Sequence, residues 1–215
     1  MSSRDVILGR IRDALGRTGS DVPNQEALLE RTTQHARHIE PIFAEPPEQR
    51  FQQKLEAAAA TFARVDHIDD VASEIERYLG SLALPFKLVS SGDPLIRSIT
   101  WPSSFEVSQR VPTGEDLVGI TATLYGIAET GTLMLASGET RPTSLNFLPD
   151  YHIVVLRRDQ LVTRMEDAWD GLRQQFSGMP RTVNFISGPS KTADVEQTVE
   201  YGAHGPRCLH VVMVG

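Results

Sequence analysis

Ile153-Val154-Val155-Leu156 is apolar at all four positions, and residues 161–176 beyond it carry apolar side chains at helical spacing. The same alternation repeats in both directions. Short apolar runs at residues 86–89, 118–121, 132–135, 182–186 and 209–214 read as further strands, and residues 190–199 read as a helix. Strands alternating with helices predict an α/β fold with a largely parallel sheet flanked by helices on both faces. In such open sheets ligands collect beyond the carboxyl ends of the strands, where Ser91 and Gly92 follow the first strand and Ser187 and Gly188 follow the fifth.

The first 47 residues read differently. Ile7, Ile11 and Leu15 recur four apart in an amphipathic helix that ends at Gly16, residues 19–24 read as a linker, and a second helix is expected around residues 25–39. Pro41, Pro46 and Pro47 close this helical arm. Residues 48–215 form the α/β domain, which begins with Phe51, Leu55, Ala59 and Phe62 at helical spacing and a further helix over residues 69–79, ending at Gly80.

Composition narrows the function classes. A 215-residue chain that is 40% hydrophobic suits one sizeable domain with an appended arm. Its net charge of −7 argues against nucleic acid or an anionic membrane as a partner. No run approaches the roughly 18 apolar residues of a membrane-spanning helix, and no signal peptide is legible, so a cytoplasmic protein is expected. Cys208 is the only cysteine, which excludes an intrachain disulfide and a four-thiolate iron–sulfur cluster built from this chain alone. Cys208 reads as a small core residue. Neither a Gly-x-Gly-x-x-Gly dinucleotide fingerprint nor a Gly-x-Ser-x-Gly nucleophile elbow is present. His35 and His38 lie three apart without an evident third ligand, so no metal site and no cofactor are expected.

Three polar stretches carry the candidate chemistry. In Gly126-Ile127-Ala128-Glu129-Thr130-Gly131-Thr132-Leu133, one carboxylate stands among small and apolar residues. Glu129 is a candidate general base, and Thr130, Gly131 and Thr132 are candidate ligand contacts. The alternative is a loop carboxylate that holds backbone amides. In Ser187-Gly188-Pro189-Ser190-Lys191-Thr192-Ala193-Asp194, a strand leading into the expected helix offers free amides and a helix dipole to an anion, with Ser187, Gly188, Ser190, Lys191 and Thr192 as the binding set. An NTPase phosphate loop is excluded, because Ser190 and Phe185 stand where it requires glycines. The competing reading is an ordinary turn with Ser190 as helix cap. In Tyr201-Gly202-Ala203-His204-Gly205-Pro206, two glycines around His204 present it as an acid or base, or else Gly202 is simply a helix stop. His152, before the apolar run, is either a ligand contact or a satisfied packing residue.

The Ala-Glu-Thr-Gly-Thr element, the Pro149-Asp150-Tyr151-His152-Ile153 segment and the two C-terminal loops resemble the LUD (lactate utilisation) domain, most closely its lactate-utilisation protein C branch. The resemblance implies a fold like that of ribose-phosphate isomerases, glucosamine-phosphate isomerases and CoA transferases. It also implies a part in oxidising L-lactate to pyruvate beside companion proteins that carry iron–sulfur clusters, with this chain as the cluster-free subunit binding a small carboxylate. Class I CoA transferases, on a similar fold, use a glutamate as nucleophile, which would suit Glu129. Two further readings stay open: a stand-alone transferase or isomerase acting on a small phosphorylated or CoA-linked metabolite, and a non-catalytic ligand-binding regulator.

Overall fold

The computed structural model describes residues 3–16, 26, 29, 30, 33, 40–195 and 198–215. The expected linker at residues 19–24 and most of the expected second helix at residues 25–39, with His35 and His38, lie outside the described residues. The chain divides into two compact units, Met1–Ile42 and Phe43–Gly215. In the first, α1 spans Ser3–Ala14, and Gly16 follows it with a positive φ of 61°. Among the described residues no helix is long and apolar enough to cross a membrane.

The second unit is built on six parallel strands. In chain order β1 (Thr61–Val65), β2 (Lys87–Ser90), β3 (Glu106–Gln109), β4 (Val118–Ala122), β7 (Tyr151–Arg157) and β12 (Cys208–Val214) form a sheet ordered β1-β12-β7-β4-β2-β3. All five pairings are parallel. A second sheet, ordered β8-β5-β6-β9, contains β5 (Tyr125–Ile127), β6 (Thr132–Ala136), β8 (Leu161–Val162) and β9 (Val183–Ile186). The fold class expected from the sequence therefore stands, with one redistribution. Residues 132–135 and 183–186 are strands, but they pair antiparallel in the second sheet.

Side-chain alternation sorts the core into layers. Ile153 and Val155 of β7, with Ile120 and Val212, pack under Val71, Ile75, Tyr78 and Leu79 of α3 (Val71–Ser81). Val154 and Leu156 face the other way, together with Val211 and Met213, and meet Leu133 and Leu135 of β6 and Phe51 and Leu55 of α2 (Pro47–Ala57). The opposite face of the second sheet, carrying Ile127, Met134 and Ala136, is closed by Ala168 and Leu172 of α5 (Met165–Gln175). A short α4 (Pro94–Arg97) follows β2, capped by Asp93, whose carboxylate accepts from the Leu95 amide at 2.9 Å.

Three helix readings need correction. The helix beginning at Pro47 stops at Ala57 and does not run on to Phe62. Ala59 takes a left-handed φ of 68°, and Phe62 lies in β1, where its ring meets Phe51 edge-on at 6.2 Å. Residues 161–176 begin as β8, because Leu161 and Val162 pair with Gly126 and Ile127, and the helix starts only after Arg164, whose amide donates to the Asp167 carboxylate at 3.1 Å. The described residues between 191 and 199 are not helical. They belong to an antiparallel ribbon, β10 (Lys191–Val195) and β11 (Thr198–Tyr201), that pairs Lys191 with Tyr201, Thr192 with Glu200 and Val195 with Thr198. Thr192, Val195, Thr198 and Val199 are β-branched and stiff at χ1, which favours a ribbon over a helix. Lys191 also lies over the Tyr201 ring, 5.5 Å from its centroid.

The C-terminal end of α2 is a packing point for two loops. Gly131, in the turn from β5 to β6, has φ of 65°, and a Cβ there would lie 2.7 Å from the Leu55 nitrogen. A Cβ on Gly188 would lie 2.7 Å from the Ala58 carbonyl oxygen. Gly131→Ala therefore meets both backbone strain and a clash with main-chain atoms, and its expected cost is about 1–3 kcal/mol in urea unfolding. A variant as stable as the parent would show that α2 yields at this contact.

Candidate functional site

Five of the residues marked in the sequence converge on one cavity. His152, Ser187, Gly188, Ser190 and His204 line a space of about 200 Å³, together with Asn146, Phe147, Phe185, Ile186, Gly205, Pro206 and Leu209. His152 and Leu209 are the second residues of β7 and β12 and stand side by side in register. Asn146 comes from the connection between β6 and β7, whereas Phe185 and Ile186 come from β9. Ser187, Ser190 and His204 belong to the segments that flank the β10–β11 ribbon.

His152 is the more deeply buried of two buried polar residues lining the cavity, 1% exposed against 6% for Asn146. Its Nε2 lies 2.8 Å from the Thr121 hydroxyl, while its Nδ1 is buried without a hydrogen-bond partner. Burial pushes its pKa down to about 3, so the ring is neutral at physiological pH. An unpaired buried polar atom in a native fold calls for an explanation.

Hydroxyl groups form the next layer. Thr130 and Thr132 hydroxyls lie 2.6 Å apart, and Thr132 lies 2.7 Å from the Ser187 hydroxyl at the rim. The Ala-Glu-Thr-Gly-Thr turn thus reaches the cavity through two threonines and a serine. The Ser190 amide donates to the Pro206 carbonyl at 2.8 Å, and the Ser190 hydroxyl accepts from the His204 amide at 3.3 Å, which ties both ends of the ribbon to one rim.

Other marked residues lie elsewhere. Glu129 is half-buried, its amide donates to the Thr163 carbonyl at 2.9 Å, and it is not among the residues lining this cavity. Lys191 is exposed on the ribbon, and neither it nor Thr192 is among the lining residues. Because no helix opens at Ser190, there are no helix-start amides to receive an anion, and Gly202 ends no helix. Its amide donates instead to the Ser190 carbonyl at 3.1 Å. Ser91 and Gly92 follow β2. Ser91 borders a small void with Thr121, Arg141 and Asn146, and Gly92 borders a separate cleft of about 170 Å³ with Gln109 and Thr140.

Sequence reasoning missed Thr121 and Asn146. Thr121 reads in sequence as a strand residue, and only the register that places β4 beside β7 sets its hydroxyl against His152. Asn146 sits in a 3-10 turn, Thr143–Asn146, where an asparagine carries no distinguishing signal.

Residues 116–214 match the model of the LUD domain, so the resemblance drawn from the three motifs is borne out over that span. An uncharacterised protein of Neisseria meningitidis serogroup B is 41% identical over 96 residues, which cover 45% of this chain and 41% of that one. Proteins named lactate utilization protein C are 38% identical over 100 residues in Halalkalibacterium halodurans, covering 45% and 44% of the two chains, and 37% identical over 92 residues in Bacillus subtilis, covering 41% and 38%. The matched segments span less than half the length of these relatives. The crystal structure of a DUF162 family protein from Deinococcus radiodurans superimposes with a TM-score of 0.61 at 21% identity, covering 81% of this chain and 100% of the other, which establishes the shared fold.

A second buried imidazole sets the acid response. His210 is 1% exposed, stacks on Tyr78 at 3.9 Å and bonds the Thr61 hydroxyl through Nδ1 at 2.8 Å. Burial lowers its pKa to about 4, although Glu74, 3.3 Å from Nε2, pulls the other way. Both histidines are neutral when folded and take up protons on unfolding. Stability is therefore complete above the ordinary imidazole pKa of about 6.5 and falls toward pH 4, by about 1.4 kcal/mol per pH unit for each ring. Urea titrations between pH 7 and 5 should show this slope, and His152→Leu should remove one ring's share. An unchanged slope in that variant would mean that His152 is protonated in the folded protein.

Proposed function

We propose that this chain serves lactate utilisation as the cluster-free component of an iron–sulfur system in the cytoplasm that oxidises L-lactate to pyruvate, and that it binds a small carboxylate in the His152 cavity. The observation that carries the reading is the lining itself. It combines a neutral buried imidazole, rim hydroxyls and an apolar wall of Phe185, Ile186 and Leu209, in a volume suited to a small metabolite. The rim hydroxyls of Ser187 and Ser190, with His204, receive the carboxylate. The relatives named lactate utilization protein C support the pathway, and the single cysteine supports placing any cluster on companion proteins.

The transferase or isomerase reading receives less support. No Lys or Arg is among the lining residues, so a phosphate dianion would enter without a fixed cation. Glu129, on which that reading rests, is not among them either.

The test is the thermal midpoint of the purified protein with L-lactate, pyruvate, a sugar phosphate and a CoA ester. A ligand at about 100 times its dissociation constant adds about 2.7 kcal/mol to stability. Stabilisation by lactate or pyruvate, lost in His204→Ala and kept in Lys191→Ala, is expected. Stabilisation by the sugar phosphate or CoA ester instead would transfer the site to the alternative reading. In a reconstituted system with the companion proteins, lactate oxidation that continues unchanged without this chain would remove it from the reaction.

A further inference from the structure

The register that sets His152 beside Leu209 near the amino ends of β7 and β12 sets Arg157 beside Val214 at their carboxyl ends. Five residues of strand separate the two levels, which is about 17 Å at roughly 3.3 Å per residue. A second cavity opens at the far level. Its volume of about 570 Å³ falls within the span of small-molecule sites, roughly 300–1,000 Å³. It lies beyond the carboxyl ends of parallel strands, where ligands of open α/β sheets collect. None of the residues lining it lines the His152 cavity.

The wall has an apolar part and a cationic part. Ile68 from the 3-10 turn after β1, Leu95 of α4 and Val214 of β12 stand at the margin of the core under α3. All three are only half-buried, so apolar surface is left uncovered there. Arg157 and Arg158 supply the cations, and their side chains are open to solvent, at 55% and 54% exposure. Arg157 donates to the Asp159 carboxylate from Nε at 3.0 Å and from Nη2 at 2.6 Å. Arg158 directs Nε at Glu48, 3.0 Å away, a carboxylate it shares with Arg64 at 2.7 Å. Among the described residues, Nη1 of Arg157 and both Nη atoms of Arg158 have no partner. The two Nη atoms of Arg158 make a fork that fits a carboxylate or a phosphate through parallel hydrogen bonds.

We propose that this cavity is a second binding site, for an organic anion whose alkyl body lies on Ile68, Leu95 and Val214 and whose carboxylate or phosphate head is received by Arg157 and Arg158. Exposed ion pairs contribute little by themselves, so a bare anion gains little here. A molecule that carries both parts covers the apolar surface and meets the free guanidinium donors at once. The site is independent of what the His152 cavity binds.

Four probes separate the two parts. Octanoate and octyl phosphate carry body and head, octanol carries the body alone, and inorganic phosphate carries the head alone. In methyl NMR titrations of the full chain, octanoate or octyl phosphate should shift the signals of Ile68, Leu95 and Val214 and leave those of Ile186 and Leu209, in the other cavity, in place. Octanol and inorganic phosphate should bind about tenfold or more weakly than the tighter amphiphile, the worth of one charge-assisted hydrogen bond, and the tighter of the two amphiphiles identifies the head. Arg158→Gln, at an exposed position, should weaken the amphiphile about three- to tenfold and bring it toward octanol, whereas His204→Ala should leave its affinity unchanged. The proposal is overturned if neither amphiphile shifts these methyls, if the shifts fall on Ile186 and Leu209 instead, or if octanol binds the wild type as tightly as the amphiphiles do.

Discussion

β7 is the constraint on which the rest of the domain depends. Its residues from His152 to Leu156 are all buried, and strand geometry sends alternate side chains to opposite layers. Ile153 and Val155 require cover from α3, while Val154 and Leu156 require cover from α2 and the second sheet. With both faces enclosed, the backbone amides and carbonyls must be satisfied within the sheet, which the parallel neighbours β12 and β4 provide along most of its length. A polar side chain on such a strand needs a partner at a fixed height, and Thr121 of β4 supplies it for His152. Core packing and the polar centre of the site are thus consequences of one register.

That relation explains what was legible in the sequence. The parallel strands are legible because continuous apolar runs such as Ile153 to Leu156 have few alternatives once turn signals bound them. Membership of the second sheet is not, since Thr132 to Leu135 looks equally apolar in either sheet and only the tight turn at Gly131 commits it to an antiparallel partner. The ribbon after Ser190 is the clearest error. Gly, Ser and Lys after a strand suggest the start of a helix, and this local signal outweighed the β-branched residues that follow.

The site was legible in its loops and illegible in its depth. Ser187, Gly188, Ser190 and His204 stand out because small and polar residues cluster around them, and the structure brings them to one rim. Glu129 stands out for the same reason, yet the surrounding glycine serves packing. Gly131 lets the turn approach α2, and the threonines rather than the carboxylate connect it to the cavity. The innermost groups, His152 with Thr121 and Asn146, come from positions 152, 121 and 146, and nothing in a linear pattern joins them.

The two sheets are interleaved along the chain. It leaves the large sheet after β4 to make β5 and β6, returns for β7, leaves again for β8 and β9, and returns for β12. Pairing β8 with β5 and β9 with β6 therefore closes loops around a strand that belongs to the other sheet. Such closures carry an entropic cost that is met before contacts repay it. The cavity draws on residues from Asn146 to Leu209 and needs the first residues of β12, so during synthesis it stays open until that strand emerges. The cavity is then a property of the fully assembled domain, and a nascent or partly unfolded chain does not form it.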